Sequence, residues 1–248
     1  MIFRQLFEPV SSTYTYLLGC AETGQAMLID PVIATLERDL AELARLGLKL
    51  VYSVDTHIHA DHVTSALELR KRTGSRIAAP AIDRLTCTDT GIQEGIPLRM
   101  GDVILNPLHT PGHTAGHFAY HCDDRVFTGD ALLIEGCGRT DFQNGDTDTL
   151  YRSVTEKLFS LPDDCLVFPG HDYHGRRVSS IAQEKARNPR LGGRTLAEFR
   201  EIMARLDLPY PIFMDYAVPA NRRCGVCPEE LPEDLQKYCG HMEKSPQG

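Results

Sequence analysis

The segment Asp55-Thr56-His57-Ile58-His59-Ala60-Asp61-His62 constrains this chain more than any other. It follows an apolar run, Leu50 to Val54, rich in β formers. It precedes a helical pattern from about Val63 to Arg72 that ends near Gly74. Its histidines therefore fall on a loop between a strand and a helix. Neutral imidazoles and a carboxylate are the ligands that hold Zn, Fe or Mn. His57, His59, Asp61 and His62 lie within six residues and can converge on a small volume.

Three more residues of ligand type stand at the ends of later predicted strands. His113 lies in Thr110-Pro111-Gly112-His113-Thr114, Asp130 in Thr128-Gly129-Asp130, and His171 in Pro169-Gly170-His171-Asp172. A glycine precedes each and lets the backbone pass close to a bound ion. Any one of these residues alone reads as an ordinary core or surface side chain. Together, at successive strand ends on one predicted sheet edge, they read as a metal site. His109, His117, His121, His174 and His241 lack such a pattern and read as ordinary histidines.

The remaining pattern alternates strands and helices. Strands are expected at Tyr14 to Leu18, Ala26 to Ile29, Arg76 to Ala79, Val103 to Leu108, Phe118 to Tyr120, Arg125 to Phe127 and Leu166 to Phe168. Leu36, Leu40 and Leu43 mark one helix face stopped by Gly47, and Leu150, Val154 and Leu158 mark another ended by Pro162. A helix is expected around Ser180 to Arg187. A clearer one has Thr195 and Glu198 as a capping box and Phe199, Ile202, Met203 and Leu206 as its stripe, with Pro209 and Pro211 ending it. The simplest organisation is one structural unit: a main domain over 1–178 and a helical C-terminal extension, 179–248, packed on it.

Composition excludes several partners. With 248 residues and a net charge of −8, the surface would repel a phosphate backbone, so no nucleic-acid partner is expected. No stretch approaches the roughly 18 apolar residues that span a bilayer. With no export signal in view, the expected compartment is the cytoplasm. Cys20, Cys87, Cys122, Cys137 and Cys165 are scattered singly and read as buried or free thiols. Cys224, Cys227, Cys239 and His241 superficially resemble a zinc site.

The metal pattern, HxHxDH followed by His, Asp and His, resembles the metallo-β-lactamase superfamily over about residues 10–175. The resemblance implies an α/β fold, an αββα sandwich. Four further segments are similar to one family within it, the persulfide dioxygenases: Gly136-Cys137-Gly138-Arg139-Thr140-Asp141-Phe142-Gln143, Pro169-Gly170-His171-Asp172-Tyr173-His174-Gly175, Asn188-Pro189-Arg190-Leu191, and Val218-Pro219-Ala220-Asn221-Arg222-Arg223-Cys224-Gly225.

That resemblance implies one Fe(II) per chain, held by His57, His113 and Asp130, with positions open for O2 and substrate. His59, Asp61, His62 and His171 would then orient these ligands and set their polarity. The implied reaction oxidises glutathione persulfide with O2 and water to sulfite and glutathione. Tyr173 is the candidate to hydrogen-bond a bound sulfur or oxygen, although it also reads as packing. Arg139 is the candidate to pair with a glutathione carboxylate, although it also reads as a partner of Asp141. A homodimer is compatible with the sequence.

The ligand inventory alone also permits two metals. A glyoxalase II-like thioester hydrolase with a dinuclear site is therefore the alternative enzyme. A flavodiiron role would need Glu where His59 stands, and a nuclease is disfavoured by charge. A third class is a non-catalytic metal or redox partner protein acting through its Cys-rich tail.

Overall fold

The structure is a computed structural model that describes residues 1–239. Two six-stranded sheets lie face to face. The first runs in chain order: β1 (Ile2–Glu8), β2 (Thr13–Gly19), β3 (Gln25–Ile29), β4 (Lys49–Val54), β5 (Arg76–Pro80) and β6 (Thr90–Ile92). The second contains β7 (Leu98–Met100), β8 (Val103–His109), β9 (Phe118–Cys122), β10 (Arg125–Gly129), β11 (Leu166–Pro169) and β12 (Ser179–Ser180), again adjacent in sequence order.

Side-chain parity produces the layers. Successive strand residues point to opposite faces. In β2, Tyr14, Tyr16 and Leu18 enter the core between the sheets, while Leu17 faces outward into a second apolar cluster. β3 repeats the division, with Met27 and Ile29 inward and Ala26 and Leu28 outward. The outer cluster is completed by Leu43 of α1 (Leu36–Arg45) and Leu69 of α2 (Ala66–Thr73). In the second sheet, Tyr120 and Phe127 face the central core, and Ala119 and Val126 face outward. There they meet Leu150 of α3 (Thr147–Arg152), Ile181 of α4 (Ile181–Arg187) and Phe199 of α5 (Leu196–Ala204). Both faces of both sheets are thus covered, which gives the expected αββα order.

Crossovers through α1 and α2 make β3, β4 and β5 parallel, and the α3 crossover makes β10 and β11 parallel. Parallel strands deliver their C-terminal ends to the same edge, the place where open α/β sheets build sites. A main-chain hydrogen bond from Tyr14 to the Gly170 carbonyl, 2.8 Å, ties the two sheets together at that edge.

Several elements differ from the sequence expectation. β1 becomes a strand by pairing along its length with β2. The stripe Leu150, Val154 and Leu158 is buried as expected, but the helix widens into i→i+5 turns over Ser153–Lys157 and tightens over Leu158–Ser160. α5 has the full capping box yet stops at Ala204, before the prolines. α6 (Met214–Asn221) was not expected, because Pro219 lies inside it.

The cysteines require a correction. Cys87 and Cys224 form a disulfide, as do Cys227 and Cys239, while Cys20, Cys122, Cys137 and Cys165 are buried free thiols. Cys87 and Cys224 are separated by 137 residues, and the fold brings their Cα atoms to 6.1 Å, within bonding reach. The three sulfurs of the tail's superficial zinc pattern are therefore engaged with other sulfurs. His241 lies outside the described residues.

Candidate metal centre

His57 follows β4, His113 lies between β8 and β9, and Asp130 follows β10. Each offers one ligand atom, and these atoms lie within 4.8 Å of one another. His113 Nε2 is 3.6 Å from Asp130 Oδ2. The fold thus brings together residues up to 73 positions apart in the sequence (130 − 57).

Hydrogen bonds set which nitrogen of each ring is free. Thr56 donates its hydroxyl to Asp30 Oδ2 at 3.0 Å, so at 2.9 Å it must accept from His57 Nδ1. His57 Nε2 then carries the lone pair. His113 Nδ1 donates to the Arg139 carbonyl at 2.7 Å, which leaves its Nε2 free in the same way. Asp130 Oδ1 is buried without a hydrogen-bond partner. Burial also holds His57 well below its ordinary pKa, and neighbouring imidazoles add to this, so the ring is neutral. Two imidazole lone pairs and an unpaired carboxylate oxygen fit a divalent transition metal.

A second group lies beside the first. His59, Asp61 and His62 also bring ligand atoms within 4.8 Å. His59 Nε2 is bound to Asp30 Oδ1 at 3.0 Å, while its Nδ1 and the Nε2 of His62 have no partner. Burial disfavours charge on His59, but the Asp30 carboxylate outweighs it and raises the group to about 9. His171 Nε2 lies 3.4 Å from Asp130 Oδ1 and 3.5 Å from Asp61 Oδ2. Gly170 lets it come so close: a Cβ there would sit 2.6 Å from Asp130 Oδ1.

Sequence reasoning missed three supporting residues. Asp30 takes both Thr56 groups and His59. His117, read as ordinary, is fully buried and accepts the Asp130 main-chain N–H at 3.0 Å. The Thr13 hydroxyl lies 3.2 Å from both Asp61 Oδ2 and His62 Nδ1 and 3.4 Å from His171 Nδ1. The available signal for Asp30 was a carboxylate ending the apolar run Ala26 to Ile29.

Tyr173 is 69% exposed, and its ring lies parallel to that of His171 at 6.2 Å. The Arg139 guanidinium grips Asp141 through two hydrogen bonds of 2.7 Å and donates to the Pro209 carbonyl at 2.8 Å. It also covers the Phe142 ring at 4.5 Å. A cavity of about 220 Å³ beside it is lined by Arg139, Asp141, Met203 and Leu208, among others.

Comparison with known proteins agrees with this geometry. The family model described as Metallo-beta-lactamase superfamily matches residues 9–171. A human protein named persulfide dioxygenase ETHE1, mitochondrial, is 50% identical over 234 residues, covering 91% of this chain and 89% of its own length. The crystal structure of ETHE1 from Myxococcus xanthus superposes with a TM-score of 0.89 at 52% identity, covering 91% of this chain and 100% of that one. A hydroxyacylglutathione hydrolase from a Polaromonas strain is 36% identical over 64% of this chain and 62% of its own length. Half of all positions are shared across nine-tenths of the chain, and the αββα frame converges the expected ligands. The protein therefore belongs to the metallo-β-lactamase superfamily and, within it, to the persulfide dioxygenases, a family of oxidoreductases.

Proposed function

We propose that the chain oxidises glutathione persulfide with O2 and water to glutathione and sulfite, using one Fe(II) held by His57, His113 and Asp130. The convergence of two imidazoles and one carboxylate carries this reading. That donor set on non-haem iron leaves neighbouring positions open. The reaction balances as RSSH + O2 + H2O giving RSH and H2SO3. The S–S bond breaks, the two sulfurs together release the four electrons that O2 takes up, and all three oxygens end on the outer sulfur. His57, His113 and Asp130 would hold the iron, which would supply the redox chemistry between the persulfide sulfur and O2.

The chain's own residues do the rest. Asp30 and Thr56 fix the His57 ring, and His117 holds the Asp130 backbone. His59, Asp61, His62 and His171 surround the ligands and set the polarity of the site. Tyr173 supplies a phenol to the bound sulfur or oxygen. Arg139 receives a carboxylate of the glutathione moiety in exchange for Asp141, keeping a two-pronged contact. The proposed compartment is the cytoplasm, with no nucleic-acid or membrane partner. The net charge of −8 speaks against a nucleic-acid partner, and among the described residues no helix is long and apolar enough to cross a membrane.

One observation favours a second reading. The unpartnered nitrogens of His59 and His62 would suit a second ion, as in a dinuclear thioester hydrolase. Anaerobic metal analysis combined with O2 consumption separates the two. The dioxygenase reading expects about one iron per chain and O2 consumed in step with sulfite. Two tightly bound metals, with S-lactoylglutathione hydrolysed under argon, would replace it with the hydrolase.

A further inference from the structure

The loop from His57 to Ser65 has no strand or helix of its own to satisfy its main-chain groups. A buried backbone group left unpaired is costly, so its partners matter. Three partners come from one distant side chain. Asn221, at the end of α6 and 4% exposed, donates through Nδ2 to the His59 carbonyl at 2.9 Å and the His62 carbonyl at 2.8 Å. Its Oδ1 accepts the Thr64 N–H at 2.9 Å. Both carboxamide hydrogens and the oxygen are spent on one stretch of six residues.

The surroundings hold Asn221 in place. Ala217 and Ala220 of α6 pack with Phe213 against Val63 of the same loop. The Cys224 carbonyl accepts the Leu67 N–H at 3.1 Å, and Cys224 is bonded to Cys87. Gly225 passes so near the Thr64 carbonyl that a Cβ there would lie 2.0 Å from it. On the other side, Asp30 fixes the Thr56 N–H at 2.7 Å and Gln143 fixes the Ile58 carbonyl at 2.9 Å. The loop bearing His57, His59, Asp61 and His62 is thus clamped between the strand ends and the tail.

We propose that Asn221 is a positioning residue of the metal centre: its carboxamide fixes the His59–Thr64 backbone and so the angle at which His57 and its neighbours reach the ion. No other side chain of similar size supplies this pattern. Asp lacks the two donors and would set a carboxylate against two carbonyls. Ala would leave two carbonyls and an N–H unpaired. The proposal rests on the metal site and is independent of which substrate is turned over.

The test uses the full chain, freed of metal by a chelator under argon and titrated with Co(II), whose visible absorption reports ligand geometry. Asn221→Ala and Asn221→Asp are compared with the parent at a temperature well below all three melting transitions. The expected result is Co(II) affinity reduced on the order of ten- to hundredfold, the range for residues that orient ligands, with an altered absorption envelope. A lower melting temperature with unchanged affinity and absorption would assign Asn221 a purely structural role and overturn the proposal. If neither variant folds, hydrogen exchange of the metal-free parent decides. The Thr64 amide should be protected before any ion binds, and exchange at the rate of an open loop would refute the clamp. A parent that binds no Co(II) would sink the metal reading itself, and this proposal with it.

Discussion

Asp30 accepts a hydrogen bond from His59 Nε2 at 3.0 Å across 29 residues of sequence, and neither side chain is open to solvent. The same carboxylate fixes Thr56 and, through it, the proton on His57. Asp30→Asn offers one acceptor where two are needed and leaves the Thr56 hydroxyl free to turn. Metal affinity is expected to fall on the order of 10–100-fold. Chelator competition followed by metal analysis checks it, and an occupancy equal to the parent's would show that the ligands hold themselves.

Arg139→Ala addresses the substrate contact. If the guanidinium exchanges Asp141 for a glutathione carboxylate, KM for glutathione persulfide rises much more than kcat falls. The loss should be about 1.5–3 kcal/mol, the range for hydrogen bonds to charged groups. A small persulfide lacking that carboxylate should be turned over equally by variant and parent. Arg139 also holds the Pro209 carbonyl, so a destabilised protein with unchanged KM would leave it only the Asp141 and Pro209 contacts.

Tyr173→Phe removes one phenol from an exposed ring above His171. Iron content and melting temperature should stay at parental values, because the hydroxyl makes no intramolecular hydrogen bond among the described residues. The kcat should drop by about tenfold, the effect of roughly 1.4 kcal/mol in the barrier. Full activity in the variant would make the ring a packing element.

Asp39, in α1, gives a pH signature away from the metal. Burial raises its pKa to about 6, and Arg38 only partly offsets this. The folded state therefore binds the proton more tightly than the unfolded chain, whose Asp titrates near 4. Stability contributed by the protonated form is full below about pH 4 and is lost as pH rises through about 6. Asp39→Asn should gain on the order of 1–3 kcal/mol at pH 7.5 and almost nothing at pH 4. Urea melts at the two pH values measure it, and an equal change at both would exclude the charge as the cause.

What was readable in the sequence follows from how local each signal is. His57, His59, Asp61 and His62 announce themselves by spacing, and Gly112, Gly129 and Gly170 precede the later candidates His113, Asp130 and His171. β2 to β5 and β8 to β11 carry β formers in runs long enough to recognise. β6 and β7 have three residues each and exist only because a neighbour pairs with them. α6 was hidden by Pro219, which lies inside it, and the helix is placed by its packing on Val63. Asp30, Thr13 and His117 have ordinary local contexts, and Asn221 stands in a segment similar to the family, but their contacts arise only once distant loops meet.

The bond between Cys87 and Cys224 makes the intervening chain a closed ring, and His113, Asp130 and His171 all lie on it. A single protease cut at the turn around Asn144, an exposed residue with positive φ, would open this ring without releasing a fragment. Electrophoresis should show one intact band without reductant and two with it. In the chain-entropy picture a ring of this size removes on the order of 4–5 kcal/mol of freedom from the unfolded chain. The oxidised protein would then survive nicking with these three site residues still on one covalently linked molecule, and a thiol would decide whether it stays whole.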